Sequence, residues 1–292
     1  VIPAAADTQS IACAVAAAAL FGTALVTTHI GLRHMDALSG ARTSIPVAAV
    51  LFWLLAPVRD LSGWQGEAAM IFAVVGVFFP AAVTLLTFAA NRRLGPAVAG
   101  TIGGTAPLFA VLGAALFLEE PLGIREAVAT GIIMVGCTLL SSPDGTIAAG
   151  GARRALWLPW TSAVLRAAAQ VLSKAGLALW SNPFAAVLLG YSVSAAVVWG
   201  APLLSPRRQT YAANRRGVAW FAATGVLNGA AVLAMYYALS TGPVYIVSPI
   251  VATYPLFTLA LSALVLRLPL RAALLVGVAL TVTGVATLLG RW

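Results

Sequence analysis

The chain has 292 residues, of which 61% are hydrophobic and only 9% charged, and its mean hydropathy is +0.97. A soluble domain carries about 25% charged residues, so this chain cannot cover itself with a water-compatible surface and is a polytopic integral membrane protein. Its net charge of +9, from 17 Lys and Arg against 8 Asp and Glu, would suggest a polyanion partner in a soluble protein; here the arginines sit in turns between apolar runs, a mark of topology and not of nucleic-acid binding.

Apolar runs bounded by charge, Pro or Gly predict ten spanning helices in an all-α fold. Span 1 covers 11–30, starts after an Asp-bearing tail with no positive segment and is read as a helix of the mature protein, with His29 at its interfacial end. Span 2 (37–57) begins close to Arg42, and span 3 (68–90) holds Phe78-Phe79-Pro80, Thr84 and Thr87. Span 4 (96–118) follows Leu94-Gly95-Pro96 and carries Gly100-Thr101-Ile102-Gly103-Gly104 ahead of Pro107; span 5 covers 124–141. A polar linker over 142–155 then divides the chain into five-helix halves, 1–141 and 156–292. Span 6 (156–179) places Arg166, Gln170 and Lys174 at i, i+4 and i+8, hence on one face. Span 7 covers 183–204, span 8 (217–240) carries Asn228, Tyr236 and Tyr237, span 9 (243–266) carries Tyr245, Ser248, Thr253, Tyr254 and Pro255, and span 10 covers 270–289.

The halves repeat. Gly95-Pro96, Pro107-Leu108-Phe109 and Pro121-Leu122 recur as Gly242-Pro243, Pro255-Leu256-Phe257 and Pro269-Leu270. The two later pairs are each 148 residues apart and the first 147, so one residue is inserted between them. An odd number of helices per repeat turns one half upside down relative to the other. Inverted repeats of this kind mark secondary transporters with a substrate site at the repeat interface.

Arg42 in span 2, Leu94-Gly95-Pro96 into span 4, Pro107-Leu108-Phe109 within it and Glu119-Glu120-Pro121-Leu122 after it resemble the EamA-type members of the drug/metabolite transporter superfamily. Within that group the chain is similar to the YddG-like amino-acid exporters in length and in its minimal loops. The resemblance implies a basket in which spans 1, 3, 4, 6, 8 and 9 enclose a central cavity and spans 5 and 10 are peripheral. It also implies that both termini lie inside the cell. The charge pattern points the other way. Arg33, Arg92, Arg93, Arg153, Arg154, Arg207, Arg208, Arg215, Arg216, Arg267 and Arg271 fall in the odd loops, against Arg59, Arg125 and Arg291 in the even loops and at the C-terminus. The positive-inside rule therefore places both termini in the periplasm of a bacterial inner membrane.

All the acids, Asp7, Asp36, Asp60, Glu67, Glu119, Glu120, Glu126 and Asp144, fall at or beyond predicted helix ends. Antiport of cationic drugs against protons needs an intramembrane acid, so that class is disfavoured. Glu119 and Glu120 read as loop residues marking the end of span 4. An unpaired charge at a helix centre costs about 2.5–3.5 kcal/mol on insertion scales, so Arg166 either binds a substrate anion in a wet cavity or is satisfied by carbonyls or the interface. Lys174 reads as snorkelling and Arg42 as a structural or gating residue. The candidate substrate-binding residues are Arg166, Asn228, Tyr254, Phe79, Gly103, Gly104 and Gln170. Asn228 either touches substrate or bonds across helices. Pro107 and Pro255 are candidate paired hinges, since a mid-helix Pro removes a backbone bond and kinks the helix. Gly225 and Gly229 read as helix-packing residues.

These features predict a transporter that exports small metabolites by alternating access between the halves, amino acids first, hydrophobic and aromatic ones included. The alternative is an organic-anion carrier of the sugar-phosphate or nucleotide-sugar kind, which needs several cavity cations. No catalytic cluster stands at helical spacing, and Cys13 and Cys137 lack metal-ligand spacing. The expected protein is therefore not an enzyme, holds no metal or cofactor, binds no nucleic acid, and sits in the lipid bilayer as a monomer.

Overall fold

The computed structural model describes residues 8–141, 155–200, 214–266 and 272–290. Linker residues 142–154 with Asp144, Arg153 and Arg154, the Pro269-Leu270 pair, and Asp7, Arg207, Arg208, Arg267, Arg271 and Arg291 lie outside the described residues. The described residues form twelve α-helices and one short 3-10 turn, without a strand. In chain order the helices are α1 (Thr8–Gly31), α2 (Ala37–Leu55), α3 (Gly66–Phe78), α4 (Ala81–Gly103), α5 (Ala106–Phe117) and α6 (Ile124–Ser141). The second half holds α7 (Trp157–Leu179), α8 (Pro183–Gly200), α9 (Arg215–Thr241), α10 (Val244–Val251), α11 (Tyr254–Leu266) and α12 (Ala272–Leu289). Six segments are long and apolar enough to cross a membrane alone, among them Gly66–Thr87 and Val244–Leu264, each of which includes a helix break.

Seven predicted spans are single helices: α1, α2, α6, α7, α8, α9 and α12. Spans 3, 4 and 9 are not continuous, and local chemistry explains each interruption. Phe79 precedes Pro80 and takes extended angles, φ −128° and ψ 122°, which ends α3. A residue before proline is pushed out of the α region by the ring, and Pro80 has no N–H with which to continue the ladder. Ser194 of α8 helps to seat this break, accepting from Ala81 N at 3.3 Å and donating to Gly76 O at 2.5 Å.

The breaks before Pro107 and Pro255 repeat one construction. Thr105 N donates to Ile102 O and Thr253 N to Ile250 O, each at 3.0 Å. Both threonine hydroxyls donate to the same carbonyls, at 2.6 and 2.7 Å. Beyond the proline, Leu108 N reaches Thr105 O at 3.0 Å and Leu256 N reaches Thr253 O at 2.9 Å. Two tightened turns therefore part α4 from α5 and α10 from α11.

The two halves differ where the Gly-Pro pairs stand. Gly242 and Pro243 separate α9 from α10, whereas helical backbone runs through Gly95 and Pro96 within α4. The predicted turn between spans 3 and 4 is thus corrected: the chain breaks at Phe79-Pro80 and Gly104-Thr105 and stays helical between. An internal Pro removes one backbone bond and bends a helix without having to end it.

Small residues bring helices close. A Cβ on Gly22 of α1 would stand 2.7 Å from Tyr254 O of α11, and Gly225 of α9 lies against the Ser44 carbonyl of α2. Gly229 faces Ala48 one turn further on, so this pair packs α9 on α2. Helices α6 and α12 pack on each other through Gly136, Gly277 and Gly284. Arg125 Nε adds a bond to Thr287 O at 2.9 Å.

Candidate functional site

A cavity of about 190 Å³ lies between the two halves, where a single water needs about 10–15 Å³. Its lining comes from α1, α2, α4, α5, α7, α8, α9, α10 and α11 and from the breaks beside them, but not from α6 or α12. The six spans expected around the cavity all contribute. Spans 2 and 7 join them through Ser44, Ile45 and Tyr191. Spans 5 and 10 lie outside, paired with each other.

Arg166, Asn228, Tyr254, Phe79, Gly103, Gly104 and Gln170 all line this one cavity. They come from both halves, and α7 carries Arg166 and Gln170 one turn apart on its cavity face. Pro107 also lines the cavity, whereas Pro255 is buried outside the lining. The walls are mainly apolar, with Phe21, Phe79, Phe221 and Met235 prominent, and the polar groups are hydroxyls, amides and one guanidinium. No carboxylate lines the cavity among the described residues.

Residue pattern alone missed several lining residues. Thr28, Ser44, Thr224 and Tyr191 stand in helices with no spacing signal that sets them apart as cavity residues. Thr224 bonds Thr27 at 2.8 Å and the Trp220 carbonyl at 3.0 Å, and Thr87 bonds Ser162 at 2.9 Å, so part of the polar wall is internally satisfied. Other groups are not. Arg166 Nε, Gln170 Oε1, Tyr191 OH and Ser248 Oγ are buried without a hydrogen-bond partner.

Arg42 and Lys174 do not reach the cavity. The Arg42 guanidinium lies over the Trp199 ring at 5.9 Å, and Trp199 Nε1 donates to Arg42 O at 3.1 Å. This fits the structural reading of Arg42. Lys174 is bound within the protein: its Nζ donates to Leu239 O at 2.7 Å and to Gly242 O at 2.9 Å. Glu120 is likewise more than a loop marker. Its carboxylate accepts from Val244 N at 3.0 Å and Tyr245 N at 3.2 Å, capping the N-terminus of α10. Ser10 Oγ adds a bond to Ala238 O at 3.0 Å. Together these contacts join α1, the segment after α5, α7, α9 and α10 at the end of the bundle opposite the α1–α2 turn. His29, at that turn, is exposed and lies 3.4 Å from Arg33.

Repeated halves, with broken helices and a cavity at their interface, are the architecture of a membrane transporter. A family model described as the EamA-like transporter family matches twice, over residues 8–142 and 154–290, and the chain belongs to that family. A solved crystal structure of a protein of unstated function superposes with a TM-score of 0.82 over 96% of each chain, at 16% sequence identity, a likeness that shows the fold alone. Comparison with curated proteins gave no match.

Proposed function

We propose that this EamA-family transporter exports amino acids, hydrophobic and aromatic ones included, by alternating access between its two halves. The observation that carries this reading is a cavity that, among the described residues, has one guanidinium, no carboxylate and phenylalanine walls. Arg166 suits a single carboxylate, which it can pair with charge-assisted hydrogen bonds. Phe21, Phe79 and Phe221 suit apolar side chains without strong discrimination between them, since a hydrophobic pocket distinguishes one methylene by only about 1–3 kcal/mol. Residues Asn228, Tyr254, Gly103, Gly104 and Gln170 complete the proposed site, and the breaks at Pro107 and Pro255 serve as its paired hinges. The protein works as a monomer in a bacterial inner membrane, with both termini outside by the distribution of the loop arginines, Arg92 and Arg93 excepted because they lie within α4.

The organic-anion alternative has less support. Of its three candidate cations, Lys174 is engaged with the carbonyls of Leu239 and Gly242 and Arg42 stacks on Trp199, so of the three only Arg166 lines the cavity. Counterflow in proteoliposomes preloaded with unlabelled leucine, phenylalanine, threonine or methionine tests the proposal. Accumulation of the labelled amino acid without an imposed proton gradient is expected. Folded, inserted protein that carries no amino acid but exchanges sugar phosphates would replace this reading with the anion one.

A further inference from the structure

Resting on the amino-acid reading, we infer that the substrate's ammonium group is held by uncharged oxygens, those of Gln170, Ser248 and the broken ends of α4 and α10, and not by an acid. A primary ammonium has three donors and needs acceptors around it. The cavity supplies them in an unusual form.

Gln170 and Ser248 are buried, 5% and 1% exposed, and both line the cavity. Gln170 Oε1 and Ser248 Oγ have no hydrogen-bond partner. Leaving a buried acceptor unsatisfied costs about 1–3 kcal/mol, so these two atoms are open to a donor that a ligand brings. Backbone supplies the rest. Pro107 has no N–H to return to the Gly103 carbonyl, and Pro255 has none for the Val251 carbonyl. Gly103 and Val251, which end α4 and α10, both line the cavity. Helix C-termini carry partial negative charge, and half-helix ends with unwound carbonyls bind cations inside membranes. Helix α10 packs against both α5 and α7, so Ser248 and Gln170 belong to adjoining walls.

The neighbourhood selects among cations. Arg166 stands one turn from Gln170, so a free metal ion would add a second positive charge to a cavity that has no anion among its described residues. A zwitterion brings its own carboxylate to Arg166 and its ammonium to the neutral oxygens. An amino acid therefore binds without displacing a proton from the protein.

The test compares phenylalanine with 3-phenylpropionate, which keeps the carboxylate and ring and lacks the amine. Both are assayed as counterflow substrates in proteoliposomes for the native protein and for Gln170→Met and Ser248→Ala, with folding checked by thermal midpoint. The native protein is expected to prefer phenylalanine, and each variant to lower that preference by about tenfold, the worth of one hydrogen bond to a charged donor. Uptake of 3-phenylpropionate should change little, because Arg166 is untouched. An unchanged preference in both folded variants overturns the inference while leaving amino-acid transport standing. A requirement for sodium, seen on replacement by choline, also overturns it by assigning the oxygens to a metal ion. Absence of transport of any amino acid by the native protein overturns the functional reading and this inference together.

Discussion

Glu120 and Lys174 grip opposite sides of one turn: the carboxylate caps the first N–H groups of α10, and the ammonium binds the carbonyls of Leu239 and Gly242 at the end of α9. Each charge complements the helix end it touches, an anion at an N-terminus and a cation at a C-terminus. Glu120 follows α5 in the first half, while Lys174 and the turn belong to the second. Any motion that parts the halves at this end must release one of the two grips.

Replacing Glu120 with Gln keeps a hydrogen-bond acceptor and removes the charge. Opening at this end should become easier by about 0.3–1 kcal/mol. The readout is labelling of Ser10→Cys by an impermeant maleimide in a background lacking Cys13 and Cys137. Labelling several-fold faster than with Glu120 is expected; equal rates would show that the cap does not hold this end shut.

Arg166 has a buried Nε without a partner, so its removal should cost transport and not stability. Arg166→Met is expected to keep or raise the thermal midpoint, because an unpaired cation is costly in a membrane interior. Counterflow of phenylalanine should fall by more than about tenfold, as loss of a charge-assisted pair implies. A large drop in midpoint would instead make Arg166 structural.

Pro107 and Pro255 sit beside duplicated threonine turns. Substituting both with Ala restores two backbone donors and should straighten the helices, raising stability while slowing exchange. Unchanged transport in the double variant would remove the hinge role. Thr105→Val and Thr253→Val lose the hydroxyl bonds to Ile102 and Ile250, at about 1 kcal/mol each. Thermal midpoints of the single and double variants test whether the two turns contribute alike.

Two glycines separate packing from cavity roles. A Cβ at Gly22 would press on Tyr254 O at 2.7 Å, whereas one at Gly103 meets nothing within 4 Å. Gly22→Ala should destabilise by about 1–3 kcal/mol through overpacking. Gly103→Leu should keep the midpoint yet reduce exchange of large substrates before small ones.

Asp36 caps α2, accepting from Leu38 N and Ser39 N at 3.0 Å. Partial burial opposes its ionisation, but the Ser39 and Leu38 bonds prevail and hold the carboxyl below its ordinary value. A depressed carboxyl stabilises the fold above its unfolded value and loses that contribution as pH falls through the folded one. Asp36→Ala should therefore lower stability by about 0.5–2 kcal/mol at neutral pH, with the difference shrinking below about pH 4. A pH-independent difference would refute the charge-based cap.

Much of the architecture was legible without coordinates. Low charge and long apolar runs dictated a membrane bundle, because hydropathy is a local sum that needs no knowledge of neighbours. Recurrence of Pro107-Leu108-Phe109 as Pro255-Leu256-Phe257 announced the repeat, and Gln170 followed Arg166 at a helical turn. The residues chosen for substrate contact meet around one cavity for the same reason: a polar or kinking residue inside an apolar span has few places to go.

Tertiary structure decided the rest. The break at Phe79-Pro80 lay hidden in a run that hydropathy scores as one span, since the score ignores backbone angles. Helix continuity through Gly95-Pro96, against a break at Gly242-Pro243, showed that the same dipeptide can lie within a helix or end one according to its surroundings. Glu120 caps a helix 124 residues further along the chain, and Lys174 binds carbonyls 65 and 68 residues away. Tyr191 and Ser248 became cavity residues only when α8 and α10 packed beside α7 and α9. Residue types and spacing determine which groups must find partners; the packing of distant helices determines which partners they find, and which groups are left open for a ligand.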